Sequence, residues 1–133
     1  MIFPSIPELL LYGVFDRGIP NQERIVLRTQ VYLNLAPYGL LLTAQQGNVG
    51  TPYLDHFFWF GETVLDPNTW VYVYTGAGIP RMTRTSNTNE PAYVIHWNRA
   101  NVIFTQDFLQ PTLIQIGAAV THQADISLLL PTG

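Results

Sequence analysis

With 133 residues and a mass of 15.0 kDa, the chain is the size of one domain and long enough to bury a sizeable core. Only 11% of its residues are charged, against roughly 25% in an average soluble domain; its six basic residues are all arginine, and its net charge is -3. This balance excludes a basic footprint for nucleic acid or an anionic membrane. The absence of cysteine excludes disulfides, thiolate metal sites and a cysteine nucleophile.

Residues 1–7, with two prolines, read as an extended arm. Met1 to Pro4 lacks the charged start of a signal peptide, and no apolar run approaches the ~20 residues needed to span a bilayer. The expectation is a cytoplasmic chain without membrane insertion. Glu8 to Phe15 is strand-like and is followed by the turn Asp16 to Asn21. From Glu23 to Leu35 the sequence alternates. Glu23, Ile25, Leu27, Thr29, Val31, Leu33 and Leu35 fall on one face, with a more polar set on the other. That length predicts a bulge or bend near Thr29.

After the turn Ala36 to Gly39, Leu40 to Thr43 reads as a short buried strand and Gln45 to Pro52 as a loop. Tyr53 to Phe60 is the aromatic centre of the chain. Trp70-Val71-Tyr72-Val73-Tyr74, framed by Asp66-Pro67-Asn68 and Gly76-Ala77-Gly78, reads as a central strand covered on both faces. Thr75 to Pro91 is the longest irregular stretch, and a loop of that length in a small domain is usually functional. Tyr93 to Trp97, Val102 to Phe104, Thr112 to Ile116 and Ile126 to Leu130 are further apolar runs. No segment has both helical period and helical length. About eight strands at regular spacing predict a single all-β domain over residues 1–133, an antiparallel, immunoglobulin-like β-sandwich.

The order Glu23-x-Ile25-x-Leu27, then Tyr38 and Leu40, resembles the acidic-x-aliphatic-x-Leu strand of lamin-tail-type immunoglobulin-like domains. Phe58-x-Phe60, Leu65-Asp66-Pro67, the following hydrophobic strand and Trp97 are similar to later motifs of that family, so the resemblance covers residues 23 to about 116. Asn68 stands where the family usually has glycine, and Thr29 where it often has asparagine. The resemblance implies an interaction or anchoring module without catalytic residues.

Chemistry is sparse. Gly76-x-Gly78 lacks the third glycine and the following helix of a dinucleotide fingerprint. His56, His96 and His122 are too scattered for a metal motif, so no metal or other cofactor is expected. Among the carboxylates, Glu23 and Asp55 attract notice because strands place them among apolar neighbours. Asp55, His56 and His96 are the residues a small hydrolase would use. Trp59, Trp70, Tyr72 and Tyr74 could form an aromatic platform for a carbohydrate, or fill the core. Arg81, Arg84 and Arg99 could form an anion-contacting patch in an interaction loop. Low charge and abundant aromatic residues favour a protein partner, with homo-oligomerisation first.

Overall fold

The computed structural model describes residues 5–47 and 49–122, which form ten β-strands and no helix. The strands are β1 (Leu9–Phe15), β2 (Arg24–Thr29), β3 (Leu33–Asn34), β4 (Tyr38–Gln46), β5 (Val49–Trp59), β6 (Val64–Leu65), β7 (Trp70–Tyr74), β8 (Arg81–Arg84), β9 (Pro91–His96) and β10 (Leu109–Gln115). A five-stranded sheet runs β1-β2-β7-β9-β8, a three-stranded sheet runs β10-β4-β5, and β3 pairs with β6. The two larger sheets enclose the core as a β-sandwich. Ile25, Leu27, Val71, Val73 and Ile95 of the first meet Leu40, Leu42 and Leu109 of the second, with Leu35, Trp97 and Phe104 filling the same cluster. Two facing sheets are the usual way to bury strands that are apolar on one side.

The alternation from Glu23 onward sets β2, and the bend near Thr29 is present. The Thr29 hydroxyl donates to the Asp66 carbonyl at 2.8 Å and accepts from the Thr69 amide at 2.9 Å. These bonds tie the end of β2 to the turn that opens β7. Past that knot the chain switches partners to pair β3 with β6, and Val31 and Tyr32 turn outward to 46% and 69% exposure. Asn68 holds φ at +61° in the same turn, a left-handed conformation that asparagine tolerates better than most side chains. The strand is central in its sheet but is not covered on both faces: Val71 and Val73 are fully buried, whereas Trp70, Tyr72 and Tyr74 face outward, half-covered.

Four expectations change. Thr75 to Pro91 is not one loop, because Arg81–Arg84 forms β8 and hairpins onto β9. All four β8 residues are exposed, so no inside–outside alternation marks the strand in the sequence. The sandwich is also not wholly antiparallel. The chain leaves β7, returns antiparallel as the edge strand β8, and β9 then fills the gap between them, so β7 and β9 run parallel. Gln45 to Pro52 is the tip of a β4–β5 hairpin in which Gln46 faces Val49, rather than a free loop. Val102 to Phe104 is no strand, although Ile103 and Phe104 are buried. The run Ile126 to Leu130 and the first four residues of the arm lie outside the described residues.

Candidate functional site

The β4–β5 ladder is interrupted. Leu41 pairs with Phe57, but Thr43 pairs with Pro52, so Tyr53 to His56 bulge out opposite Leu42. Bulges re-aim side chains and are common beside functional sites. This one turns Tyr53 and His56 toward a cleft of about 560 Å3 whose other wall is the turn after β9. Asn98 begins that turn with φ +59°. Its amide donates to the Gly76 carbonyl at 3.2 Å, the Arg99 amide donates to the Thr75 carbonyl at 2.8 Å, and the Asn98 side chain accepts from the Gly78 amide at 3.1 Å. The turn is therefore fixed to the segment that leaves β7.

Three side chains meet at the cleft. The His56 Nδ1 lies 2.9 Å from an Asp55 carboxylate oxygen, and a terminal guanidinium nitrogen of Arg99 lies 2.8 Å from His56 Nε2. Because Arg99 can only donate, Nε2 must accept, and the proton of the neutral imidazole sits on Nδ1, directed at Asp55. The His56 hydrogen bond holds the Asp55 carboxyl below the usual carboxylate range, although its side chain is 83% exposed. Arg99 makes a second, longer contact of 3.4 Å to the Asp55 backbone carbonyl. The two arginine–carboxylate ion pairs among the described residues are Arg24–Asp16 and Arg28–Glu90, so Arg99 has no direct carboxylate partner there. Leu42, Ile103 and Leu109 line the cleft floor with apolar surface. Among the described residues no cluster of histidine and carboxylate side chains has the arrangement of a metal centre.

The other expected site residues separate. Arg81 and Arg84 sit on β8 at the sheet edge, where Arg84 donates to the Asn89 carbonyl of its own hairpin at 2.7 Å. Arg99 instead reaches across to the three-stranded sheet, so the three arginines form no single patch. The aromatic platform also divides, with Trp59 on β5 and Trp70, Tyr72 and Tyr74 on the outer face of β7. Trp70 is committed to its neighbours. The Arg28 guanidinium lies 4.6 Å from its ring centroid, Tyr12 lies at 5.2 Å, and its indole N–H donates to Glu90 at 3.1 Å. His96 stacks on Tyr74 at 5.6 Å over Gly78, where an added Cβ would lie only 2.3 Å from the imidazole ring. Burial holds its pKa below the ordinary value, and the charge of Arg81 adds to the effect. His96 thus belongs to a different surface from His56.

Glu23 proves to be a buried structural carboxylate. It is fully buried and accepts from the Gly18, Ile103 and Phe104 amides and the Thr75 hydroxyl, at 2.7, 2.9, 3.2 and 2.9 Å. Sequence reading also missed the outer face of the three-stranded sheet. There the paired rows Ile114–Gly39–Trp59 and Thr112–Leu41–Phe57 carry no charge, and Phe57 and Trp59 are 41% and 51% exposed. The signal lay in period-two reading of Phe57 and Trp59 against Phe58 and Phe60, which assigns the pairs to opposite faces.

The fold and site together define an all-β sandwich with a cleft where His56 and Arg99 meet and an outer sheet face whose Phe57 and Trp59 rows carry no charge. No family model, curated protein or solved structure matches the chain. No helix among the described residues is long and apolar enough to cross a membrane.

Proposed function

We propose that the domain is a non-catalytic interaction module that self-associates through the outer face of its three-stranded sheet. The observation that carries this reading is the absence of charge from the rows containing Phe57 and Trp59. In a two-fold interface the same patch meets itself, so a patch with a net charge of one sign meets that same sign. An uncharged aromatic face avoids that penalty. The outer face of the five-stranded sheet instead carries Arg24 and Arg28 beside Trp70 and Tyr74, paired with Asp16 and Glu90, and an interface there would have to desolvate those charges. The overall charge content of 11% fits a chain with part of its surface covered, and the resemblance to lamin-tail-type sandwiches favours an interaction role.

Carbohydrate binding at Trp70 to Tyr74 has less support, because Trp70 is already engaged by Arg28, Tyr12 and Glu90. Hydrolysis has less support because the His56 Nε2 that would act as base is occupied by Arg99. Sedimentation equilibrium at increasing concentration tests the proposal. A mass rising toward two chains in the micromolar range is expected, and Trp59→Glu returns it to one chain. A single-chain mass throughout, or association that survives Trp59→Glu and Phe57→Asp together, refutes it.

A further inference from the structure

We propose that the cleft between the β5 bulge and the Asn98–Val102 turn binds an organic carboxylate with a small apolar body, gripped by Arg99. The proposal does not depend on self-association, which uses a different surface. Arg99 makes no direct ion pair with a carboxylate among the described residues; Asp55 acts on it only across the His56 imidazole, and its two contacts there go to that imidazole and a backbone carbonyl. Both are neutral acceptors. They orient the guanidinium without placing a carboxylate directly on it, and five N–H donors leave others free for a ligand.

The His56 contact requires its own support. Asp55 fixes the imidazole tautomer so that Nε2 accepts from Arg99, much as partners beyond the ligating atoms orient the ligands of a metal site. Arg99 is thereby pre-positioned, which reduces the ordering cost of gripping a ligand.

Carboxylate chemistry is preferred over phosphate for three reasons. A guanidinium presents a planar fork matching two carboxylate oxygens. The cleft lining supplies this one cation and no lysine, so a dianion would stay undercompensated beside Asp55. The floor of Leu42, Ile103 and Leu109 offers apolar surface that only an organic body would cover. The Tyr53 side chain and Asn101 at the lining provide further polar groups. A volume of about 560 Å3 accommodates a ring or short chain.

The test is a titration of the isotope-labelled protein with benzoate, followed by amide resonances, with benzamide and inorganic phosphate as comparison probes. Benzoate is expected to saturate with a dissociation constant of about 1 mM or tighter, shifting Tyr53 to His56 and Asn98 to Ile103. Benzamide and phosphate are expected to bind at least about tenfold more weakly. Arg99→Gln, which keeps a planar amide but loses the charge, removes the benzoate preference while the remaining resonances stay in place. The imidazole nitrogen shifts of His56 change as the ligand draws on Arg99, which a distant binding site would not produce. Equal binding of benzoate and benzamide overturns the charge assignment without need of any variant. Phosphate binding as tight as benzoate overturns the carboxylate class. Shifts that avoid both walls of the cleft overturn the site.

Discussion

Replacing Glu23 with glutamine keeps its shape and removes one acceptor, so its cost can be worked from the contacts. One carboxylate oxygen accepts from Thr75 and Ile103, the other from Gly18 and Phe104. If the new amide nitrogen takes the Gly18 and Phe104 position, it faces two backbone donors that cannot turn away. If it takes the other position, the Thr75 hydroxyl can rotate to accept and only the Ile103 amide is orphaned. The second orientation therefore wins. An orphaned buried donor costs about 1–3 kcal/mol, and two remaining backbone bonds lose their charge assistance at about 1 kcal/mol each. Relief of the buried charge returns part of this loss, leaving a net destabilisation of about 2–4 kcal/mol, or a melting temperature lower by about 6–20 °C. Glu23→Ala orphans three backbone amides at about 1–3 kcal/mol each, comparable with a total stability of about 5–15 kcal/mol. Thr75→Val, which removes the one adaptable donor and orphans no backbone amide, should cost about 1.5–3 kcal/mol. Urea unfolding followed by fluorescence of the buried Trp97 measures all three. A Glu23→Gln protein within about 0.5 kcal/mol of the parent, or an alanine variant milder than the glutamine, refutes the reasoning.

Further outcomes follow from single contacts. Burial depresses the His96 pKa below 6.5, so between the folded and unfolded values only the unfolded chain binds the proton. The corresponding stability is present above pH 6.5 and lost as pH falls through the folded value; His96→Phe should flatten the stability curve as pH falls below 6.5, and an unchanged slope would contradict this. Burial, then the neighbouring Glu8 carboxylate, push the Tyr38 phenol up to about 12. The folded state then holds a proton that the unfolded state has lost, so stability falls as pH rises above 10.0; in an alkaline spectrophotometric titration Glu8→Gln should bring this late phenol ionisation earlier. At Gly39 an added Cβ would lie 2.6 Å from the Phe57 ring and 2.9 Å from the Phe58 carbonyl. Gly39→Ala should therefore displace Phe57 and cost about 1–3 kcal/mol in urea unfolding, with no loss if the ladder can shift freely.

Those elements whose two faces differ were legible in the sequence. In β2 and β7 the inward positions Ile25, Leu27, Val71 and Val73 are buried in the core, so a period of two survives in the residue types. β8 was not legible because Arg81, Met82, Thr83 and Arg84 all face solvent. The parallel β7–β9 ladder depends on which strand fills the gap left by a crossover, information no local pattern carries. The site was half legible. Asp55–His56 and Arg99 each attracted notice, but His56 and Arg99 are 43 residues apart, and their contact is created by a bulge hidden inside an apparently continuous aromatic strand. The aromatic composition of Tyr53 to Phe60 announced a strand without showing which four residues leave the ladder.

Glu23 links this hidden geometry to the most readable strand of the chain. Its backbone carbonyl accepts from the Thr75 amide at 3.1 Å, and its carboxylate accepts from the Thr75 hydroxyl at 2.9 Å. The Thr75 carbonyl in turn accepts from the Arg99 amide at 2.8 Å. At the far end of the same turn, the Ile103 amide donates to the Glu23 carboxylate at 2.9 Å. Both ends of the segment carrying Arg99 are therefore anchored through one buried side chain, while β5 brings His56 from the opposite sheet. A buried charge is costly unless its donors are fixed in place. Here the donors come from three separate segments, so satisfying the charge also fixes those segments relative to β2. The same bonds that make Glu23 tolerable in the core set the position from which Arg99 reaches the cleft.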